Sequence, residues 1–247
     1  MKKALFRFYE ELNDFLPAQK RKKEFEFRFI GKPSVKDVIE SLGIPHTEVD
    51  LILVNGESKN FAYNLKEADR VSVYPVFESL DISSIQHLRP EPLRKPLFIA
   101  DVHLGKLTSF MRMLGFDTLY DNKFSDSEII RISISEHRVI LTRDKKLLMN
   151  KKVTHGYYVR NSDSIWQITE VIKRFDLKDK IMEFSRCINC NSVLHKVEKE
   201  NIIERLPPKV RKYQSDFLRC RNCGKIYWRG SHWRNMKKII SLIKNNS

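Results

Sequence analysis

The stretch from Leu97 to Asp117, LFIADVHLGKLTSFMRMLGFD, limits the architecture more than any other part of the chain. It opens on a short apolar run, Leu97-Phe98-Ile99-Ala100, which reads as a buried strand that Asp101 ends. Leu104, Leu107, Phe110, Met111 and Leu114 then recur at helical spacing, and Gly115 stands where a C-terminal cap glycine belongs. Phe116 to Tyr120 reads as the next strand. A second apolar strand, Val139-Ile140-Leu141-Thr142, ends in Arg143-Asp144. This pattern predicts an α/β sandwich with a mainly parallel sheet, whose ligands gather at the carboxyl ends of its strands.

The helices between those strands carry more acids. Ser125 and Glu128 form an S-x-x-E capping box, so a helix is predicted from near Asp126. The segment IIRISIS alternates as a strand would, but the cap and the strand at Val139 favour helix. Asp144 suits the cap of the helix opened by Lys145-Lys146-Leu147-Leu148, and Gly156-Tyr157-Tyr158-Val159 reads as a fourth strand. Ser162-Asp163-Ser164 opens an amphipathic helix with Ile165, Ile168, Val171 and Ile172 on one face.

Asp101, Asp126 or Glu128, Asp144 and Asp163 therefore fall at strand ends or helix starts, which right-handed crossovers would gather along one edge. Asp126, Asp144 and Asp163 equally suit helix caps or dipole partners, and Glu128 completes its box. Asp101 has no such duty at the end of a buried strand. Acids crowded together repel and favour protonation, a penalty that a divalent cation with a taste for oxygen ligands, Mg²⁺ or Mn²⁺, removes. Two other motifs fail. Asp101-Val102-His103 opens like a calcineurin-like metallophosphoesterase, but the GDxxD, GNH and GHxH segments are missing, so His103 reads as a surface or pocket residue. Lys106 follows Gly105 without P-loop spacing.

Residues 1–80 read as a β-grasp. Ala4–Tyr9 and Glu24–Ile30 are strand-like, with Lys20-Arg21-Lys22-Lys23 as an exposed loop between them. Ser34 is placed to cap a helix bearing Val35, Val38, Ile39 and Leu42. Leu51-Ile52-Leu53-Val54 leads into Asn55-Gly56, a hairpin signal because both residues tolerate positive φ, and Arg70–Phe77 is the last strand. The segment also resembles ubiquitin-like sulfur carriers, but no diglycine follows Phe77, which favours a binding module for a protein partner. Residues 81–96, with Pro90, Pro92 and Pro96, read as a linker.

Residues 186–247 carry two CxxC knuckles, Cys187/Cys190 and Cys220/Cys223, separated by 29 residues. Each pair grips one tetrahedral ion with two thiolates, and together they predict a Cys₄ zinc ribbon. Ile226-Tyr227-Trp228-Arg229-Gly230-Ser231-His232-Trp233-Arg234 follows, aromatics interleaved with arginines. Such rings stack on bases, and equally they supply a core that so small a module otherwise lacks. Charge is concentrated here: 15 Lys and Arg against 4 Asp and Glu, net +11, compared with +1 for residues 1–96 and +3 for 97–185. That asymmetry points to a polyanion, nucleic acid above all. No apolar run approaches the roughly 20 residues of a membrane helix, and charges interrupt the signal-like start, so a cytoplasmic protein with no membrane partner is expected.

Taken together, FIADVHLGKL…MRMLGFDTLYD, SDSEII, RVILTRD and RCINCNSVL…ERLPPKV…FLRCRNCGKIYWRGSHW resemble the Mut-seven C-terminal RNase family, in the form that carries an N-terminal ubiquitin-like domain. The resemblance implies a PIN-like three-layer domain over 97–185, between the ubiquitin-like domain and the ribbon. It also implies a Mg²⁺- or Mn²⁺-dependent ribonuclease with Asp101, Asp126 or Glu128, and Asp144 as its acids, and Asp163 as a further match. Lys106, Arg112, Arg143, Lys145 and Lys146 are then candidates to guide the backbone of single-stranded RNA. Trp228, Arg229, His232, Trp233 and Arg234 of the ribbon would add affinity. The competing reading is a non-catalytic RNA- or ribosome-binding adaptor whose acids only cap helices.

Overall fold

The computed structural model of the protein describes residues 1–75 and 96–246. The expected linker, except Pro96, and the end of the last β-grasp strand lie outside the described residues. Strand β1 (Lys2–Phe8) buries Ala4, Phe6 and Phe8 in alternation, and β2 (Phe25–Phe29) runs antiparallel to it. Helix α1 (Val35–Ser41) starts at a capping box in which Asp37 N donates to Ser34 Oγ at 3.1 Å and Ser34 N donates to Asp37 Oδ2 at 3.3 Å. It turns Val35, Val38 and Ile39 inward.

Strand β3 (Val49–Val54) passes through Asn55 (φ 53°) and Gly56 (φ 88°) into a two-residue strand, β4 (Glu57–Ser58). Two successive positive φ values are what the tight hairpin turn requires. With β5 (Arg70–Pro75) the order is β2-β1-β5-β3-β4, mixed because β1 and β5 are parallel. This is the β-grasp arrangement expected, with β4 added.

Beyond residue 96 the expected elements follow. β6 (Leu97–Ala100) ends at Asp101; after one 3₁₀ turn, α2 (Gly105–Met113) begins. Gly115 (φ 95°) closes α2: its N–H donates to Arg112 O and that of Phe116 to Met111 O, a Schellman cap. β7 (Thr118–Leu119) pairs with β6 in parallel. α3 (Asp126–Glu136) starts at the predicted Ser125–Glu128 box and buries Ile129, Ile130, Ile132 and Ser133, so helix prevails over the alternation of IIRISIS. β8 (Arg138–Thr142), α4 (Lys145–Leu148), β9 (Gly156–Tyr158) and α5 (Ser164–Arg174) complete the segment, with β8 and β9 again parallel.

The C-terminal residues form an antiparallel sheet of β10 (Leu194–Lys196), β11 (Phe217–Cys220) and β12 (Ile226–Trp228) in that order. The insert between the knuckles supplies a 3₁₀ segment and α6 (Pro208–Tyr213), and α7 (Ser231–Asn246) follows β12. Ile202, Leu206 and Phe217 make a small core against which Val197, Val210, Ile226 and Trp228 pack.

The chain forms two compact units that do not follow its order: Met1–Pro96 with Ser125–Tyr158, and Leu97–Phe124 with Val159–Ser247. Within the first, His46 Nε2 lies 2.8 Å from Val153 O, Glu48 Oε1 accepts from Tyr158 N at 2.6 Å, and Phe15 meets Tyr158 edge-on at 5.5 Å. Within the second, α2 and α5 pack together, α7 packs on α5, and Phe98 meets Phe175 at 5.3 Å.

Candidate functional site

The clearest chemistry lies in the knuckles. After each CxxC the chain turns back through a positive-φ residue, Asn191 (69°) or Gly224 (71°), whose N–H donates to the carbonyl of the first cysteine, Cys187 or Cys220. Among the described residues these four cysteines are a set whose ligand atoms converge, all within 4.8 Å of one another. Cys187 and Cys223 sulfurs are 3.5 Å apart, and those of Cys190 and Cys220 3.4 Å. Thiolates bound to zinc at about 2.3 Å stand about 3.8 Å apart on a tetrahedron. The set therefore fits one metal ion such as zinc.

The surroundings tune the sulfurs. Burial raises the Cys190 thiol, but hydrogen bonds from the Ser192 backbone and hydroxyl outweigh it and bring the pKa to about 5. Burial pushes Cys223 up to about 11. A cation is what allows such unequal thiols to ionise together. Burial and the Cys187 sulfur raise the pKa of Tyr227, so its neutral O–H donates to Cys187 Sγ at 3.1 Å.

The first knuckle is fastened to the α2–β7 turn by residues that sequence reasoning assigned otherwise or missed. Arg112, expected on an RNA-facing surface, is 4% exposed. Its Nε donates to Thr118 O at 2.9 Å, and its Nη1 to Ile188 O and Asn189 O at 3.0 and 2.9 Å. Asn191 Oδ1 accepts from Thr118 N at 3.0 Å while its Nδ2 donates to Asp117 Oδ1 at 2.7 Å. Arg186 pairs with Asp117 at 3.0 Å and donates to Gly115 O at 3.2 Å. The sequence signal for Arg112 was its place one turn after Thr108 on the buried stripe of α2, a position a solvent-facing arginine would not take.

The acids are placed as follows. Asp101 is buried at the end of β6, where its side chain makes no cap hydrogen bond to the following 3₁₀ turn. Asp163, in the same unit, caps α5 by accepting from Ile165 N at 2.9 Å and Trp166 N at 3.3 Å. In the other unit, Asp126 is exposed in the first turn of α3 and Glu128 closes the box on Ser125, whose backbone and hydroxyl hold its pKa below the usual value. Asp144 caps α4 by accepting from Lys146 N at 2.7 Å. These caps use one oxygen each: Oδ1 of Asp144, Oδ1 of Asp163 and Oε2 of Glu128. Capping a helix and ligating an ion are therefore compatible here.

Of the remaining candidates, Lys106, Arg143 and Lys146 are exposed. Lys145 sets its ammonium over the rings of Phe15 and Tyr158, 4.9 and 5.6 Å from their centroids. Trp228 realises the packing role open to it, against the core of the ribbon. Arg229 lies 3.7 Å from Asp216, His232 stands in the first turn of α7, and Arg234 is exposed. Trp233 packs beside Phe184, with ring centroids 5.6 Å apart.

Among the described residues no helix is long and apolar enough to cross a membrane. No curated protein and no solved structure matches the chain. Two family models do. The model described as Mut7-C ubiquitin matches residues 1–81, and that described as the Mut7-C RNAse domain matches 96–240, more than half of the chain and inclusive of both knuckles. The chain thus belongs to the Mut7-C RNAse-domain family and carries that family's ubiquitin-like domain ahead of it.

Proposed function

We propose that this chain is a metal-dependent ribonuclease that hydrolyses phosphodiester bonds of single-stranded RNA. The reading rests on the family match and on one observation, the carboxylate of Asp101 at the carboxyl end of a parallel strand, the edge at which such sheets bind their ligands. The family resemblance offers Asp101, Asp126 or Glu128, Asp144 and Asp163 as the acids, each a hard oxygen donor of the kind that suits Mg²⁺ or Mn²⁺. Held by such donors, the ion would supply Lewis acidity and a water acidic enough to attack at neutral pH. The chain's own part is to hold the carboxylates in place: backbone N–H groups at the starts of α4 and α5 orient Asp144 and Asp163. Exposed Lys106, Arg143 and Lys146 would steer the RNA backbone, and the zinc-bound ribbon would add salt-sensitive affinity. The ubiquitin-like domain suits a protein partner, and the expected setting is cytoplasmic.

A non-catalytic RNA-binding adaptor is favoured by one fact, that Glu128, Asp144 and Asp163 each cap a helix. Substitution by Asn separates the two, because Asn caps as well as Asp but carries no charge. Cleavage of a labelled single-stranded RNA by zinc-loaded protein is expected with added Mn²⁺ or Mg²⁺ and not without. Asp101→Asn and Asp144→Asn should abolish it while leaving the melting temperature nearly unchanged. RNA binding without cleavage under either metal would establish the adaptor instead.

A further inference from the structure

The ribbon, the segment around Phe184 and the start of α7 enclose a pocket of about 520 Å³ within a single compact unit. One wall is a cross-strand row, Lys196 on β10, Leu218 on β11 and Tyr227 on β12, held in register by the sheet. Tyr227 is fixed in place by its hydroxyl on Cys187 Sγ. Facing this row are the rings of Phe184 and Trp233, inclined at 31° to each other. Arg229 lies 5.6 Å and Lys237 5.8 Å from the centroid of Trp233, so the ring sits in a strongly cationic setting.

The volume exceeds what a side chain or water needs and falls in the range of small-ligand sites. The lining combines flat aromatic faces with cations, Lys196 and Arg229, and with carboxylates, Glu198 and Asp216, able to accept from the amino groups of a base. A purely apolar ligand would waste the charges. A free anion would have no use for the rings and would meet the carboxylates. The net +11 of residues 186–247 selects for a ligand joined to a polyanion.

We infer that this pocket receives one unstacked nucleotide of a single-stranded RNA, its base against Trp233 and Tyr227 and its phosphate on Lys196 and Arg229. The site rests on the RNA-directed reading above and deepens it: the ribbon holds the strand by a discrete base rather than by charge alone. The ring of Trp233 is then a binding surface, whereas the neighbouring Trp228 serves the ribbon's core.

The test measures binding and cleavage separately, on the full zinc-loaded chain. Affinity for a short labelled oligoribonucleotide is read by fluorescence anisotropy without added Mg²⁺ or Mn²⁺. Trp233→Ala should weaken binding about ten- to a hundredfold, the worth of one base–aromatic stack, and Trp233→Phe should restore most of it. Lys196→Ala should lower the salt dependence of binding by about 0.7 in log–log slope. A 4-thiouridine photocrosslink on the wild-type protein, which needs no variant to fold, should map to Tyr227, Trp233 or Met236. Crosslinks confined to other residues, or a folded Trp233→Ala protein that binds as wild type, would overturn the pocket even if RNA is cut normally. Crosslinking in the pocket without cleavage under any metal would sustain it while removing the nuclease reading.

Discussion

Replacing Arg112 by Met keeps an unbranched stem in the protein and removes every hydrogen-bond donor at its end. Three carbonyls, those of Thr118, Ile188 and Asn189, would lose their partner. An unpaired buried acceptor costs about 1–3 kcal/mol, less where water can enter. Asn189 is exposed, so the Thr118 and Ile188 carbonyls carry most of the loss. Desolvation works the other way: burial pulls the guanidinium pKa below its ordinary value, against the pull of Cys190, Cys187 and Asp117. A net destabilisation of about 3 kcal/mol remains, which in a chain of this size is a melting-point loss of about 6–12 °C. Ile188 and Asn189 lie between the ligands Cys187 and Cys190, so the same change should speed zinc release to a chromogenic chelator. Arg112→Lys should behave nearly as badly, because one ammonium cannot span the carbonyls that the planar fork reaches. An Arg112→Met protein that melts within about 2 °C of wild type and keeps its zinc equally long would refute the clamp.

Gly115→Ala places a methyl group at φ 95°, 2.6 Å from Ser185 Oγ and overlapping the Met182 carbonyl, and should cost at least about 2 kcal/mol in a denaturant titration. Glu183 bonds Lys237 at 2.5 Å and Lys244 at 2.6 Å, and although burial raises its pKa these two lysines lower it further. A depressed folded pKa gives stability that is present above the unfolded value, about 4.5, and is lost as pH falls through the folded one. Glu183→Gln should therefore melt below wild type at pH 7, with the gap closing as pH falls below the unfolded value and through the folded one. Stripping the metal with a strong chelator should loosen the ribbon sheet, read as a shift in emission from Trp228, and restoring Zn²⁺ should reverse it.

Features set by local chemistry were visible in the sequence. The Ser34 cap, the Ser125 box, the Asn55-Gly56 turn, the Gly115 cap and both knuckles depend on residues within a few positions of each other. The strand-end acids were likewise placed by short apolar runs. Arg112 was not read correctly because its charge outweighed its position on a buried stripe; a buried arginine is found only by knowing which carbonyls surround it, and those lie 76 and 77 residues onward. Asn191 is similar: its positive φ follows from the knuckle, but its grip on Asp117 and Thr118 does not. The caps at Glu128, Asp144 and Asp163 were foreseen; that each uses a single carboxylate oxygen was not.

A chain begun at Pro96, where the RNAse-domain match starts, would not be a free-standing domain. Ser125–Tyr158 would lose the residues it packs with, including Glu48, whose carboxylate is 110 positions from the Tyr158 amide it accepts from. During translation the first unit is completed only roughly 5–20 s after its N-terminal sheet has emerged, when that segment follows. Its folding is tied to the slow closure of distant parts of the chain. Deleting the ubiquitin-like domain would therefore misfold part of what remains. A lost activity in such a truncation says nothing about a lost partner.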